Sequence, residues 1–410
     1  MRLGRPGALF GMPPLDAATR RPLAIALATS VVSVLGVQLV FPLLPGMVEA
    51  LDVAPDSIGL VIAAYAAPIA VVVPFTGALA DLHGRRLLLV VGLGTFGLAG
   101  TLLGFAPTFE VVLLLRVLQG IGAGMILPLT VVLLSDLLPA PAETAAQGLK
   151  VVLDRLAVIV VPVLAGVLSL AGGQLPFLIY GLAIPLALAA FRWMPETRPP
   201  RESSSFAGYL RTVATGSRRP RVLMGLMAGS MRFFLDYGFL TFLPIYLGLS
   251  VGYTAPQIGL TFAGYGLGAI ITASQVVRLA RARDPAATIA IGFALAAFSL
   301  MLLPLARHGL WIAVCVFTYG LGNGIVSPLQ KSLMTRNAPA DARTAVIAVD
   351  RTLQQVAKAA APIAMGGVLA IGGIASVFWV LGSLAAAVVV ALWVMLAGGA
   401  RASVEATHRG

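Results

Sequence analysis

A small set of ionisable side chains lies inside long apolar segments of this sequence. The set comprises Arg116, Asp154, Arg155, Arg232, Asp236, Asp350, Arg351 and Lys358. A charge in apolar surroundings is costly, so it is usually retained for a function or paired with another charge. A carboxylate there can exchange a proton, and an arginine or lysine can bind an anion. Each member of the set is therefore a candidate functional residue.

Arg232 and Asp236 stand four positions apart in the sequence. Residues at this spacing lie on one face of a helix, close enough for their side chains to meet. The spacing therefore predicts that the two side chains can form an ion pair.

The other charged residues have less obvious partners. Asp154 and Arg155, like Asp350 and Arg351, are neighbours that point about 100° apart on a helix. We expect each of them to find its partner on another helix. Lys358 has no acidic residue three or four positions away and is a candidate for binding an anionic substrate. The alternative is that Lys358 snorkels to the membrane surface or pairs with a carboxylate in the other half of the chain.

The elements that must position these residues are membrane-spanning helices. The chain is 59% hydrophobic and 11% charged, against roughly a quarter charged in a soluble domain. Its apolar runs approach the roughly 20 residues needed to cross about 30 Å of hydrocarbon. The predicted spans are residues 22–47, 57–80, 86–105, 109–136, 145–170, 175–193, 222–248, 257–278, 286–306, 309–335, 343–371 and 374–397. The sequence thus predicts an all-α membrane protein with twelve transmembrane helices.

The net charge of +12 is distributed unevenly between alternate loops. One set of loops is rich in Lys and Arg, including most of the stretch 192–221, whereas the opposite set holds only Arg307. Basic loops stay on the cytoplasmic side, so we expect both termini in the cytoplasm and the protein in the inner membrane. This pattern accounts for the basic residues without a nucleic-acid partner. Cys315 is the only cysteine, which excludes a disulfide framework and a cysteine-based metal site.

The second half of the chain repeats the first at an offset of 200 residues. Ile58, Gly59, Leu60, Ala63, Tyr65, Gly120, Gly122, Gly124, Pro128, Pro162, Gly166 and Trp193 recur as Ile258, Gly259, Leu260, Ala263, Tyr265, Gly320, Gly322, Gly324, Pro328, Pro362, Gly366 and Trp393. Two parallel halves of this kind predict a pseudo-two-fold axis along the membrane normal. A substrate site at the midplane, where the halves meet, is then expected.

These patterns divide the chain into five parts. We predict a cytoplasmic segment 1–21, a six-helix half 22–194, a cytoplasmic linker 195–221, a second six-helix half 222–397 and a cytoplasmic tail 398–410. The linker mixes Pro, Ser and Arg. Its charges are interpreted as orienting the chain, with contact to anionic lipid headgroups as the alternative.

The loop after the second span carries a specific motif. Residues 77–89 read GALADLHGRRLLL, which resembles the loop motif GxLaDrxGrrxxl of the major facilitator superfamily. Glycines allow close helix approach and a tight turn, and the acid can accept hydrogen bonds from arginine. The resemblance favours a conformational latch over charge that only sets orientation. The predicted latch comprises Gly77, Asp81, Gly84, Arg85, Arg86 and, as a partner on the fourth span, Asp136.

Two more segments resemble motifs of this superfamily. Residues 116–124 on the fourth span read RVLQGIGAG, similar to RxxqGxga. The first span carries Leu35, Gly36, Pro42 and Pro45, similar to the lgxxxxxPxxP motif of the twelve-span drug/proton antiporters. The fifth-span motif gxxxGPxxGG is reduced to Pro162 and Gly166 within residues 157–166. The departure puts antiport in doubt but not transport.

The resemblance implies that the first, fourth, seventh and tenth spans line a cavity. Asp236 is then the first choice for a proton-coupling residue, with Arg232 tuning its proton affinity, and a purely structural pair is the alternative. Asp154 and Asp350 are further coupling candidates. The predicted cavity residues are Arg116, Gln38, Arg232, Tyr237, Asn323 and Lys358, with Tyr319 as an additional polar group. The phenylalanines of the seventh span are interpreted as lipid-facing or packing residues, with a substrate cage as the alternative.

The sequence therefore predicts a secondary transporter built from two pseudo-symmetric six-helix bundles. No GxxxxGK[ST] loop is present, so nucleotide hydrolysis by that route is excluded. Nucleophile and metal-ligand constellations are missing, so we expect neither an enzyme, a cofactor nor a metal. Proton-coupled efflux of amphiphilic compounds is the first hypothesis, and ion-coupled uptake of an anionic metabolite is the alternative. The expected partners are a small-molecule substrate, a coupling ion and the lipid bilayer, and we expect a monomer.

Overall fold

The computed structural model describes residues 16–197, 219–282, 284–306, 308–339 and 343–408. The linker residues 198–218 and residues 1–15 of the N-terminal segment lie outside the described residues. The α-helices are α1 (Ala17–Gln38), α2 (Leu44–Ala50), α3 (Gly59–His83), α4 (Arg85–Leu102), α5 (Phe109–Leu137), α6 (Ala140–Ser169), α7 (Leu175–Leu178), α8 (Ala183–Trp193), α9 (Pro220–Ile245), α10 (Ala255–Ala282), α11 (Pro285–Leu302), α12 (Gly309–Asn337) and α13 (Arg343–His408).

Ten helical segments of the described chain are long and apolar enough to cross a membrane. One of them, Val346–Leu396, has 51 residues, more than twice the roughly 20 residues that one crossing needs. Helix α10, with 28 residues, is also long enough for a crossing. The predicted all-α membrane fold is confirmed.

The break in α13 separates the last two predicted spans. Gly373 has φ 76° and ψ 176°, the one set of non-helical dihedral angles inside this helix. A residue with a side chain rarely adopts this backbone conformation, and glycine does so at little cost. The predicted boundary between residues 371 and 374 coincides with this glycine. The helix then continues to His408, beyond the predicted end of the twelfth span at residue 397.

The chain divides into two compact units. Unit 1 comprises Met1–Ala54, Leu60–Glu202 and Thr254–Gly259. Within it, α5 packs against α4 and α1, while α8 packs against α4 and α6 against α1. Phe96 and Tyr180, both fully buried, meet edge to face with their ring centroids 5.5 Å apart. This core surrounds the fourth-span arginine described below.

Unit 2 comprises Pro55–Gly59, Ser203–Tyr253 and Leu260–Gly410. Within it, α9 packs against α12 and α13, and α11 packs against the same two helices. Phe239 of α9 stacks on Tyr319 of α12 at 4.1 Å between ring centroids. The packing of α9, α12 and α13 brings together most of the ionisable residues inside the second half.

The same glycine contact occurs once in each unit. A Cβ atom on Gly120 would lie 2.3 Å from the carbonyl oxygen of Tyr65, and one on Gly320 would lie 2.2 Å from that of Tyr265. Both distances are shorter than van der Waals contact, so only glycine permits these helices to approach so closely. The repeat in the sequence therefore corresponds to a repeat in packing.

Candidate substrate and coupling site

Asp236 is the centre of a polar cluster in unit 2. Its side chain lies in the middle of α9 and only 4% of the residue is exposed. Arg232, one helical turn earlier, donates from Nη1 to Asp236 Oδ2 at 3.2 Å. The spacing that allowed this pair in the sequence brings the two charges onto one face of the helix.

Helix α12 supplies two further donors to the same carboxylate. The Tyr319 hydroxyl donates to Asp236 Oδ1 at 3.0 Å, and Asn323 Nδ2 lies 2.6 Å from each carboxylate oxygen. Tyr319 and Asn323 are four residues apart, so both point from α12 toward α9. A buried carboxylate needs such donors to hold a negative charge. The arrangement therefore stabilises the negative charge of the Asp236 carboxylate.

A cationic and aromatic patch adjoins this cluster. The guanidinium carbon of Arg232 lies 3.8 Å from the ring centroid of Phe233. Lys358 of α13 places its ammonium 4.5 Å from the Phe233 centroid and 5.4 Å from that of Tyr237. No ion pair joins Lys358 to a carboxylate in the described part of the chain. Lys358 contacts the aromatic rings of Phe233 and Tyr237 instead. Neither interpretation of the sequence included these contacts.

The phenylalanines of α9 fall into two groups. Phe239 and Phe242 are fully buried and pack the core of unit 2, as the sequence interpretation held. Phe233 and Phe234 are only half-buried, and the ring of Phe233 contacts both nearby cations. Sequence reasoning missed this role of Phe233, although its place beside Arg232 was visible.

Arg116 occupies a separate site in unit 1 and has no exposed surface. It donates to the carbonyl oxygens of Gly36 and Val61 at 2.8 and 3.0 Å and to Gln119 Oε1 at 2.7 Å. Its guanidinium carbon also lies 4.6 Å from the Tyr65 ring centroid. Carbonyl and amide oxygens therefore enclose the Arg116 guanidinium, and its place in a substrate cavity stays a prediction. Gln38, the other cavity candidate of unit 1, is half-buried.

Asp154 and Asp350 were expected to find their partners on other helices, and this holds only for one hydrogen bond of Asp154. Asp154 accepts a hydrogen bond from Ser30 of α1, but its ionic partner is Lys150 of its own helix at 2.8 Å. Asp350 accepts from Gln354 Nε2, one turn along its own helix, at 2.6 Å. The i, i+4 spacing of both partners was visible in the sequence. The arginines that follow the two acids are exposed.

The structure contains some contacts of the predicted latch and lacks others. Arg85 forms an ion pair with Asp136, and Arg86 donates to the carbonyl oxygen of Phe191. Gly84 adopts φ 90°, so a glycine is needed for the turn between α3 and α4.

Two latch residues lack the expected contacts. Asp81 is exposed, and the neighbouring arginines point to Asp136 and to the Phe191 carbonyl instead of to it. Gly77 is not a close-approach site, because a Cβ atom there would meet nothing within 4 Å.

A cavity of about 540 Å³ lies in unit 1. Pro42 and Met47 line it together with Leu103, Gln174 and Phe177, and none of its lining residues is ionisable. The cavity can therefore hold an apolar molecule, but none of its lining side chains can take up or release a proton. Groups of acidic, histidine or cysteine side chains that could hold a metal are absent from the described residues.

Comparison with known proteins agrees with the fold and with the sequence motifs. The sequence matches the family model Major Facilitator Superfamily over residues 26–362. One curated relative is Quinolone resistance protein NorA of Staphylococcus aureus, 25% identical over 236 residues, or 57% of this chain and 60% of the relative. Another is Multidrug resistance protein 1 of Bacillus subtilis, 26% identical over 259 residues, or 62% and 65%. The chain spans about three-fifths of the length of the curated relatives it matches.

Solved structures show the same architecture at low sequence identity. A transporter of the POT family in complex with a thioalcohol-conjugated peptide matches with a TM-score of 0.77 at 15% identity, covering 95% of this chain and 98% of that one. An inward-facing, occupied bacterial homologue of the human lysosomal transporter Spinster gives 0.76 at 15% identity, with 94% and 96% covered. The human organic anion transporter MFSD10 gives 0.65 at 20% identity, with 93% and 100% covered.

Apolar helices in two repeated units define a multi-pass membrane protein. The chain belongs to the Major Facilitator Superfamily, and the family resemblance stated from the motifs is confirmed. This is a family of transporters and not of enzymes, so the chain is not expected to catalyse a reaction.

Proposed function

We propose that the protein is a secondary transporter that exports small amphiphilic compounds by alternating access, with a proton as the coupling ion. The observation that carries the proposal is the buried carboxylate of Asp236, which has Arg232, Tyr319 and Asn323 as its donors. The names of the two curated relatives, a quinolone and a multidrug resistance protein, support export.

The proposed coupling follows from the electrostatics of the cluster. Asp236 and Arg232 neutralise each other in a low-dielectric environment, and removal of one charge from such a pair leaves the other uncompensated. A proton on Asp236 would release Arg232, whose guanidinium already contacts Phe233. The released arginine would then adjoin Lys358 on the same aromatic surface. Protonation of Asp236 thereby changes the charge that a substrate meets.

Transport by purified protein in proteoliposomes tests this proposal. We expect efflux of a fluorescent lipophilic cation to accelerate when a pH gradient is imposed. Asp236→Asn should abolish this acceleration, because asparagine cannot take up a proton. Asp154→Asn is the matched control, since Asp154 is only half-buried and is paired with Lys150. Transport that is indifferent to the gradient, or a coupled Asp236→Asn variant, would exclude Asp236 as the coupling residue.

A second candidate function is ion-coupled uptake of an anionic metabolite. It is favoured by Lys358 and Arg232, two cations that adjoin Asp236 and the Phe233 ring. Binding of one carboxylate-bearing substrate would balance the additional positive charge. The direction of substrate movement in whole cells distinguishes the two functions, because outward movement of the anion excludes uptake.

Orientation and the latch are part of the same proposal. We propose that both termini lie on the cytoplasmic side of the inner membrane, because one set of alternate loops is rich in Lys and Arg. The Arg85–Asp136 pair links the start of α4 to the end of α5 within unit 1. We propose that this pair breaks and re-forms in each transport cycle and that the protein acts as a monomer.

A further inference from the structure

A second buried polar cluster lies around Gly229 of α9. It contains Gln330 of α12, which has no exposed surface, and Asp350 of α13, which is 2% exposed. Both polar atoms of the Gln330 amide and Oδ1 of Asp350 are buried without a hydrogen-bond partner among the described residues. Buried polar atoms are rarely left unsatisfied, because each one costs free energy. The protonation state of Asp350 therefore decides how many of these atoms can be satisfied.

The geometry shows which atoms face each other. The position that a Cβ atom of Gly229 would take is 2.7 Å from Asp350 Oδ1 and 2.8 Å from Gln330 Oε1. The two oxygens are therefore at most about 5.5 Å apart. The other oxygen of Asp350 already accepts from Gln354 at 2.6 Å. If Asp350 is ionised while the Gln330 amide keeps this orientation, two acceptor oxygens face the same space.

We propose that Asp350 holds a proton on Oδ1 while Arg232 is paired with Asp236. The protonated carboxyl has a donor that can be directed toward Gln330 Oε1, so a single proton satisfies two of the unpartnered atoms. If Asp350 loses this proton, a half-turn of the Gln330 amide directs Nε2 toward the carboxylate instead. The amide thus stabilises either form of Asp350. The proposal rests on the proposed function only in that it takes Asp236 to be the coupling carboxylate.

Arg232 connects the two carboxyl groups. Gly229 and Asp236 are seven residues apart on α9, about two turns or 10 Å along one face, and Arg232 lies between them. Arg232 donates to Asp236 from Nη1, while its Nε is buried without a partner. One buried arginine can neutralise one of the two carboxylates. The other is then most stable in its neutral, protonated form.

The other charges near Asp350 are Lys331 of α12 and Arg351 of α13. Both side chains are exposed, so solvent weakens their effect on the buried carboxyl. Arg232 is therefore the buried cation that can compensate Asp350 after it loses its proton. Proton uptake by Asp236 while Asp350 stays protonated leaves Arg232 at the Phe233 ring, as in the proposed coupling. Transfer of the Asp350 proton to Asp236 instead brings Arg232 to Asp350 and leaves the total charge of the cluster unchanged.

Infrared spectroscopy of substrate-free protein in lipid nanodiscs at neutral pH tests where the proton is. The wild type should show the carbonyl band of a protonated carboxyl, and Asp350→Asn should lose it. Asp154→Asn is the matched control and should keep the band, because Asp154 is paired with Lys150. A wild type without the band, or an Asp350→Asn variant that retains it, overturns the proposal. Transport is not measured, so this result is independent of the proposed function.

Two further variants test the partners of Asp350. Gln330→Leu should shift the band to higher frequency, because the carboxyl loses its hydrogen-bond acceptor. If Asp350→Asn does not fold, Gln330→Leu tests the protonation of Asp350 in its place. An unshifted band in Gln330→Leu counts against the proposal. Asp236→Asn should weaken the band, because Arg232 becomes available to ionised Asp350. An unchanged band in that variant would refute the shared arginine.

Discussion

The pair between Arg232 and Asp236 gives the most quantitative prediction. Arg232→Met removes the cation and leaves a carboxylate that is 4% exposed, with Tyr319 and Asn323 among its donors. Loss of one partner from a buried ion pair costs about 3–5 kcal/mol. For a unit of about 200 residues, each kcal/mol shifts the midpoint by about 2–4 °C. We therefore expect Arg232→Met to lower the thermal unfolding midpoint by on the order of 10 °C.

The double variant Arg232→Met, Asp236→Leu provides the test of this reasoning. Replacing both members of a buried pair by apolar residues is often nearly neutral, so the double variant should regain most of the lost stability. The deficit of the single variant should also shrink at acidic pH, because Asp236 can then be neutralised by a proton. Thermal unfolding in detergent measures all three proteins, and Arg351→Met, at an exposed arginine, is the control. A single variant as stable as the wild type, or a double variant less stable than the single, would refute this account.

Three further predictions concern packing, the latch and substrate charge. Gly320→Ala should lower the free energy of unfolding by about 1–3 kcal/mol, because its Cβ atom would lie 2.2 Å from a backbone oxygen. Gly264→Ala is the control and should be neutral in the same unfolding assay, because a Cβ atom there has nothing within 4 Å. Arg85→Asp should slow transport in vesicles, and the charge swap with Asp136→Arg should restore part of the rate; an unaffected single variant would exclude the latch. Lys358→Gln should weaken the inhibition of transport by competing aromatic carboxylates and leave the inhibition by competing cations unchanged. Equal loss of inhibition by both kinds of competitor would exclude the lysine as an anion site.

The sequence predicted those features that depend on periodicity and local spacing. The apolar runs located the helices, and the repeat corresponds to the matching contacts of Gly120 and Gly320. The i, i+4 spacing allowed the pair of Arg232 and Asp236. Such features need only the geometry of one helix or the comparison of two similar segments.

The contacts between helices were not predictable in the same way. Tyr319 and Asn323 reach Asp236 only because the packing of α9 against α12 turns these faces of the two helices toward each other. Arg116 bonds to backbone carbonyl oxygens that carry no signal in the sequence. Gly77 was expected to allow close approach, but whether a glycine contacts a neighbour depends on which face of the helix it occupies.

The most direct test of the central claim is the proton flux that accompanies substrate movement. Proteoliposomes with a pH-sensitive dye inside and an imposed pH gradient should show faster dissipation of the gradient when a lipophilic cation is added. Asp236→Asn should abolish this response yet still exchange labelled for unlabelled substrate across the membrane. The account would be contradicted if substrate moved through the wild-type protein without changing the proton flux, or if Asp236→Asn still coupled the two.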